Sequence, residues 1–238
     1  MDLSSFHLRS KAHVVRVSLD EIQYDNKVLH HLVDVKRLKS GDLLSLCDGR
    51  GTVQIGELVP DGHFPSKHKE GRKASNLRIQ LVDDSLRVED SRIPLEMVLC
   101  LIEPDRLDRA IAALTELGVT KITLVEARRS RSLGSALNSQ RLGLERLKKI
   151  TYEAAGQSRA LFVPEISFEE MESVLDRVVV CSATGERLAT RPSAILVGPE
   201  GGFEEDEIPK RVLTMRLPGN ILRSETAAVS AAAIVMGM

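Results

Sequence analysis

Ala194-Ile195-Leu196-Val197-Gly198-Pro199-Glu200-Gly201-Gly202-Phe203, followed by Glu204-Glu205-Asp206-Glu207, is the most telling run in this 238-residue chain. Four aliphatic residues in succession predict a buried strand over 194–197. A glycine-rich turn comes next, and then an acidic segment that predicts a helix over 204–213. The glycines let backbone N–H and C=O groups approach a ligand without side chains in the way. A phosphate cradle would place Lys or Arg beside them, whereas five carboxylates fall within residues 200–207. The loop therefore suits a phosphate-free ligand, and a cationic, adenosine-containing molecule better than a nucleoside triphosphate. An ordinary strand–turn–helix whose acids complement the helix dipole accounts for the same residues.

A second segment bears on that choice. Leu217-Pro218-Gly219-Asn220-Ile221-Leu222-Arg223-Ser224-Glu225-Thr226-Ala227-Ala228 leads into an alanine-rich run ending at Met238. That run is strongly helix-forming, and Ser224 or Thr226 is the expected cap. Its small residues permit close packing against another helix or a partner subunit. A capped, buried helix explains the alanines but not the charged residues Arg223 and Glu225 at its boundary.

Together the two segments resemble the RsmE-type ribosomal RNA uridine N3-methyltransferases, a branch of the SPOUT class. The resemblance covers most of the chain. It includes His30-His31-Leu32-Val33-Asp34-Val35-Lys36-Arg37-Leu38-Lys39-Ser40-Gly41-Asp42, Cys47-Asp48-Gly49-Arg50-Gly51 and Thr115-Glu116-Leu117-Gly118-Val119-Thr120-Lys121-Ile122. Arg129-Ser130 and Glu153-Ala154-Ala155-Gly156-Gln157-Ser158-Arg159 extend it. The chain departs from the family pattern at Pro218, where Gly is usual, and at Asn220, where Arg is frequent.

The resemblance implies S-adenosylmethionine as cofactor. Leu196, Val197, Gly198, Pro199, Glu200, Gly201, Gly202, Leu217, Gly219, Ile221, Leu222 and Thr226 would form its pocket, contacting it largely through backbone. It implies catalytic roles for Arg223, in stabilising negative charge on uracil or gripping a phosphate, and for Glu225, in taking a proton or orienting Arg223. It implies ribosomal RNA or the small ribosomal subunit as partner, with Arg9, Arg16, Arg128, Arg129 and Arg131 as RNA contacts. A homodimer and a C-terminal trefoil knot are implied by the resemblance as well; no periodicity in the chain reveals a knot. Two rivals remain: a SPOUT methyltransferase acting on a different RNA nucleotide, and a non-catalytic ribosome-assembly RNA-binding protein. A binding module has no use for a cofactor pocket, which argues against the second.

Composition agrees. Aromatic residues make up only 3% and tryptophan is absent, so the core must be aliphatic and base stacking has few candidates. Three cysteines without C-x-x-C spacing indicate neither a disulfide framework nor a zinc site, which suits a reducing cytoplasm. Adjacent His30 and His31 point to different sides of a helix, poor geometry for joint metal binding, so no metal is expected. No apolar run reaches the length of a membrane span, and a soluble, cytoplasmic protein is expected. Net charge is only −1, but residues 128–159 carry eight Lys and Arg against two acids. Residues 67–78 carry five against one. Such patches attract a phosphate backbone whatever the overall sum.

Two domains are expected. Residues 1–84 alternate short β-type runs with one helix near 26–39, on which Val28, Leu32, Val35 and Leu38 or Lys39 share a face and Gly41 marks the end. This suggests a small β-barrel, and the resemblance makes it a PUA-like RNA-binding domain. Residues 61–74 read as a loop and 85–92 as a linker. Residues 92–238 alternate strands (95–102, 121–126, 178–182, 194–197) with helices (106–117, 139–155, 204–213). That pattern predicts an α/β domain with a parallel sheet covered by helices on both faces. A G-x-G-x-x-G loop after the first strand, as in a dinucleotide-binding fold, is absent.

Overall fold

The computed structural model describes residues 10–16, 22, 25–61, 77–82, 85–130 and 143–238. Outside them lie Arg9, Arg131, the expected loop beyond Asp61, most of the 67–78 basic tract and the expected helix start at 139–142. The chain forms two compact units, one of residues 1–90 with 155–162, the other of 91–154 with 163–238.

In the first unit, β1 (Ala12–Val15) runs parallel to β2 (Leu43–Cys47). Next to β2 come β3 (Thr52–Pro60) and β4 (Leu77–Leu81), both antiparallel to their neighbours, and β5 (Leu86–Arg87) also pairs with β3. Helix α1 (Asn26–His30) starts at Asp25, whose carboxylate accepts the Lys27 and Val28 N–H groups. It then widens into a π-helical turn, His31–Val35, in which Lys36 N–H donates to the His31 carbonyl. The extra residue in that turn rotates every later side chain about the helix axis. Val35, expected on the buried face, is therefore 60% exposed, while Leu29 and Val33 join Val28, Leu32 and Leu38 in the core. The helical run stops at Lys36, before the expected end at Gly41, and Arg37 takes a left-handed conformation at φ 57°. Residues 155–162 belong here: Gly51 N–H and the Cys47 thiol both donate to the Leu161 carbonyl, and the Arg159 guanidinium donates to Ser10.

The second unit is built on β6 (Glu96–Cys100), β7 (Lys121–Val125), β8 (Glu165–Phe168), β9 (Val179–Glu186), β10 (Ala194–Val197) and β11 (Thr214–Met215). They form one sheet in the order β11-β9-β10-β6-β7-β8, and every pair is parallel. Successive side chains alternate faces, so β6 serves two cores. Met97 and Leu99 pack with α2 (Pro104–Leu117), α3 (Leu144–Ser158) and α5 (Ser224–Met236). Val98 and Cys100 pack with α4 (Met171–Val174) and the residues after it. The buried Ala227, Ala228, Ala231 and Ala232 of α5 adjoin α2 in the same core, where short side chains let two helices approach closely.

No helix forms over 204–213, contrary to expectation; the chain makes separate turns there. The Glu207 carboxylate accepts the Glu204 N–H and ties the first turn shut. Pro209, with no N–H of its own and a bulky ring, then blocks helix propagation.

Candidate active site

The sheet changes direction between β6 and β10. From β6 the chain moves out through β7 and β8 on one side, then returns to place β10 on the other. The carboxyl ends of two such strands flank a crevice, the usual ligand position in open α/β sheets. From β10 issues the glycine loop and from β6 issues α2, so both meet at this crevice.

The loop is held by backbone and by distant side chains. Gly202 N–H donates to the Pro199 carbonyl at 2.9 Å, closing a tight turn. The Phe203 ring lies over Gly198, where an added Cβ would sit 2.7 Å from Cε2, so only glycine fits. The Arg129 guanidinium donates to the Gly201 carbonyl at 3.0 Å. The Ser224 hydroxyl donates to the Gly198 carbonyl at 2.8 Å, joining the glycine loop to the start of α5. The two segments singled out in the sequence are thus neighbours in space. Ser224 does not cap α5: Arg223 is the N-cap, without a side-chain bond.

The acid run is not a free anionic surface. Arg128 pairs with Asp206 at 2.5 Å and with Glu204 at 3.2 Å, and its N–H donates to Glu207. Glu200 pairs with Arg106 in the first turn of α2. The same guanidinium approaches Glu225, with Nε 3.9 Å from Oε1. Glu225 Oε2 is buried and has no hydrogen-bond partner among the described residues. One cation thus serves two carboxylates, and one buried oxygen is left over.

The second bend contributes to a cleft of about 350 Å³ lined by Cys181, Leu217, Gly219, Ile221, Leu222 and Ala227, among others. Gly219 reaches φ 95° with open space where a side chain would project. Burial pushes the Cys181 thiol up to about 12, so it stays protonated near neutrality and is a poor nucleophile.

The structure also places the remaining expected residues. Pro199 is buried within the loop, while the Leu196 and Val197 side chains lie in the core, leaving only their backbone to face a ligand. Thr226 is exposed on the first turn of α5. Arg223 is exposed and makes no ion pair among the described residues, and Glu225 turns to Arg106 instead of to it. Arg16, in the first unit, donates to the Val15 carbonyl. Arg128 and Arg129, expected at RNA, are engaged with the glycine loop and its acids. Sequence reasoning missed Arg106. Its one signal was a cation in the first turn of a helix, where the dipole disfavours positive charge.

An RNA methyltransferase domain model matches residues 89–236, and an RNA methyltransferase PUA domain model matches residues 24–62. The Bacillus subtilis ribosomal RNA small subunit methyltransferase E is 30% identical over 226 residues, 84% of this chain and 83% of the relative. The chain belongs to the ribosomal RNA small subunit methyltransferase E family. The Rickettsia conorii member is 29% identical, with 90% of this chain and 88% of that one covered. The fold matches the crystal structure of the Neisseria gonorrhoeae ribosomal RNA small subunit methyltransferase E bound to S-adenosyl methionine. The TM-score is 0.73 at 22% identity, over 95% of this chain and 97% of that one. In this methyltransferase E family member, the residues around the β6–β10 crevice come almost entirely from the domain matched at 89–236.

Proposed function

We propose that this protein transfers a methyl group from S-adenosylmethionine to N3 of a specific uridine in the 16S RNA of the small ribosomal subunit. The observation that carries the reading is Glu225 Oε2, a buried carboxylate oxygen beside the glycine loop that has no hydrogen-bond partner among the described residues. Such an atom is costly unless a ligand donates to it or a positive charge approaches it. With Arg106 shared between Glu200 and Glu225, the cluster keeps a negative charge that matches a sulfonium cation. The loop offers backbone rather than basic side chains, which suits an adenosine without phosphate. The donor is held by residues 198–202 and by Leu217, Gly219, Ile221 and Leu222, and supplies an electrophilic methyl.

Uridine N3 is a weak nucleophile until its proton leaves. Glu225 Oε2 is the acceptor we assign to that proton. Arg223, exposed at the N-terminus of α5 and free of ion pairs among the described residues, offsets the negative charge that grows on the uracil oxygens. The proposal extends to the whole chain: a PUA-like β-barrel over residues 1–84 that binds RNA, and a SPOUT domain over 92–238 with a trefoil knot. A cytoplasmic homodimer with its active sites at the subunit interface, working without a metal, completes it. Arg16 is an RNA contact in this scheme, as are Arg9 and Arg131 outside the described residues. Arg128 and Arg129 reach RNA only by sharing their present partners.

Transfer of labelled methyl to small-subunit particles lacking the modification, followed by nucleoside analysis, tests the reading. The expected product is 3-methyluridine at one position. Label on another nucleoside would retire the N3 assignment, and no label at all would retire the activity.

A further inference from the structure

We infer that Arg106 is a positioning residue for methyl transfer, acting through Glu225 and Glu200; the inference rests on the function proposed above. Three segments meet on this one guanidinium: the first turn of α2, the glycine loop after β10 and the first turn of α5. Arg106 Nη1 pairs with Glu200 Oε1, while Nε lies 3.9 Å from Glu225 Oε1. The side chain is 26% exposed, so it is held mostly within the protein. Because Oε1 of Glu225 faces Arg106, Oε2 is turned away from it, buried and without a hydrogen-bond partner among the described residues.

At 3.9 Å, beyond hydrogen-bond length, the Arg106 guanidinium is an ion-pair neighbour of one Glu225 oxygen, and the other oxygen keeps its capacity as an acceptor. A planar guanidinium can serve two acids because its donors point in separate fixed directions; a lysine ammonium is a single point charge and cannot divide itself between two acids with the same geometry. Arg106 also couples two tasks. Its hold on Glu200 steadies the loop assigned to the donor, and its hold on Glu225 aims the group assigned to the proton.

The test uses the full chain with small-subunit particles lacking the modification. Turnover and KM for the particle are measured for wild type, Arg106→Gln, Arg106→Lys, Glu225→Gln and the double variant Arg106→Gln/Glu225→Gln. Melting temperature and calorimetric binding of S-adenosylmethionine are followed in parallel. We expect Arg106→Gln to lower kcat roughly a hundredfold with KM for the particle within a few-fold. Arg106→Lys should recover about tenfold of that loss, and the double variant should be no slower than Glu225→Gln alone. Turnover of Arg106→Gln within threefold of wild type would overturn the inference, as would losses that multiply in the double variant. Should Arg106→Gln fail to fold, the Arg106→Lys and Glu225→Gln pair supplies the same comparison. If wild type transfers no methyl, the function falls separately and calorimetry decides Arg106. A donor Kd weakened at least fivefold in Arg106→Gln supports the positioning role, and an unchanged Kd, or no binding by wild type, overturns it.

Discussion

Glu96 at the start of β6 and Glu225 at the start of α5 are both largely buried carboxylates in the same unit, yet only Glu96 has both oxygens satisfied. Its Oε1 accepts from Thr123 at 2.6 Å and Arg177 at 2.9 Å, and its Oε2 accepts from Arg177 Nε at 2.9 Å. Lys121 and Arg177 also hold Glu169, at 2.9 and 2.7 Å, so two acids face two bases. Burial alone would raise the Glu96 carboxyl, but hydrogen bonds from Arg177 and Thr123 and the charges of Arg177 and Lys121 hold it down at about 2. At Glu225, one arginine is shared with a second acid and one oxygen stays unpaired among the described residues. The closed cluster joins β6, β7 and the segments after β8 and α4 into one scaffold. The open one has capacity left for a ligand.

That contrast breaks if Glu225 proves dispensable. Glu225→Gln should lower methyl transfer by about 10²–10⁴-fold, the usual span for a general base. Its melting temperature should hold or rise, since a neutral amide takes the place of a buried charged oxygen that has no hydrogen-bond partner among the described residues. Transfer assays beside thermal melts check both. Arg223→Ala should remove most turnover while donor affinity, read by calorimetry, stays within a few-fold; unchanged turnover would end its catalytic assignment.

The closed cluster should respond in the opposite way. Glu96→Gln strands Arg177 and Lys121 next to one remaining acid. A loss of about 2 kcal/mol is expected, below the roughly 3–5 typical of fully buried pairs because the cluster is partly solvent-screened. Turnover per folded molecule should stay within about twofold, as denaturant titration with activity normalised to folded protein would show. The last effect concerns acid. The folded pKa of Glu96 lies below its ordinary 4.5, so its contribution is complete above that value and is lost as pH falls toward about 2. Between those limits wild type should lose on the order of 2 kcal/mol that Glu96→Gln does not lose. Parallel urea melts near pH 5 and near pH 3 would sharpen or erase the difference.

Much of the second unit was legible in the chain. The aliphatic run at β10, the glycines after it and the alanines of α5 are local patterns with local physical causes, and the structure places them as expected. Legibility failed where a neighbour decided the outcome. The acids at 204–207 suggested a helix and a loop suited to a cationic ligand, but Arg128 and the Glu207 carboxylate turned them into tied loops. The α1 face failed at Val35 because one extra residue in a π-helical turn changes every later direction. Strand β11 has two residues and little pattern to read.

By itself the sequence determined the alternation of strands and helices, the two backbone-rich bends and the family, because these depend on residues close together along the chain. Only the tertiary structure decided which charges are compensated. Arg106, Glu200 and Glu225 come from three separate segments, and a carboxylate's partners are set by distance in space. The unpaired oxygen on Glu225, on which the proposed chemistry turns, has no trace in the order of the residues.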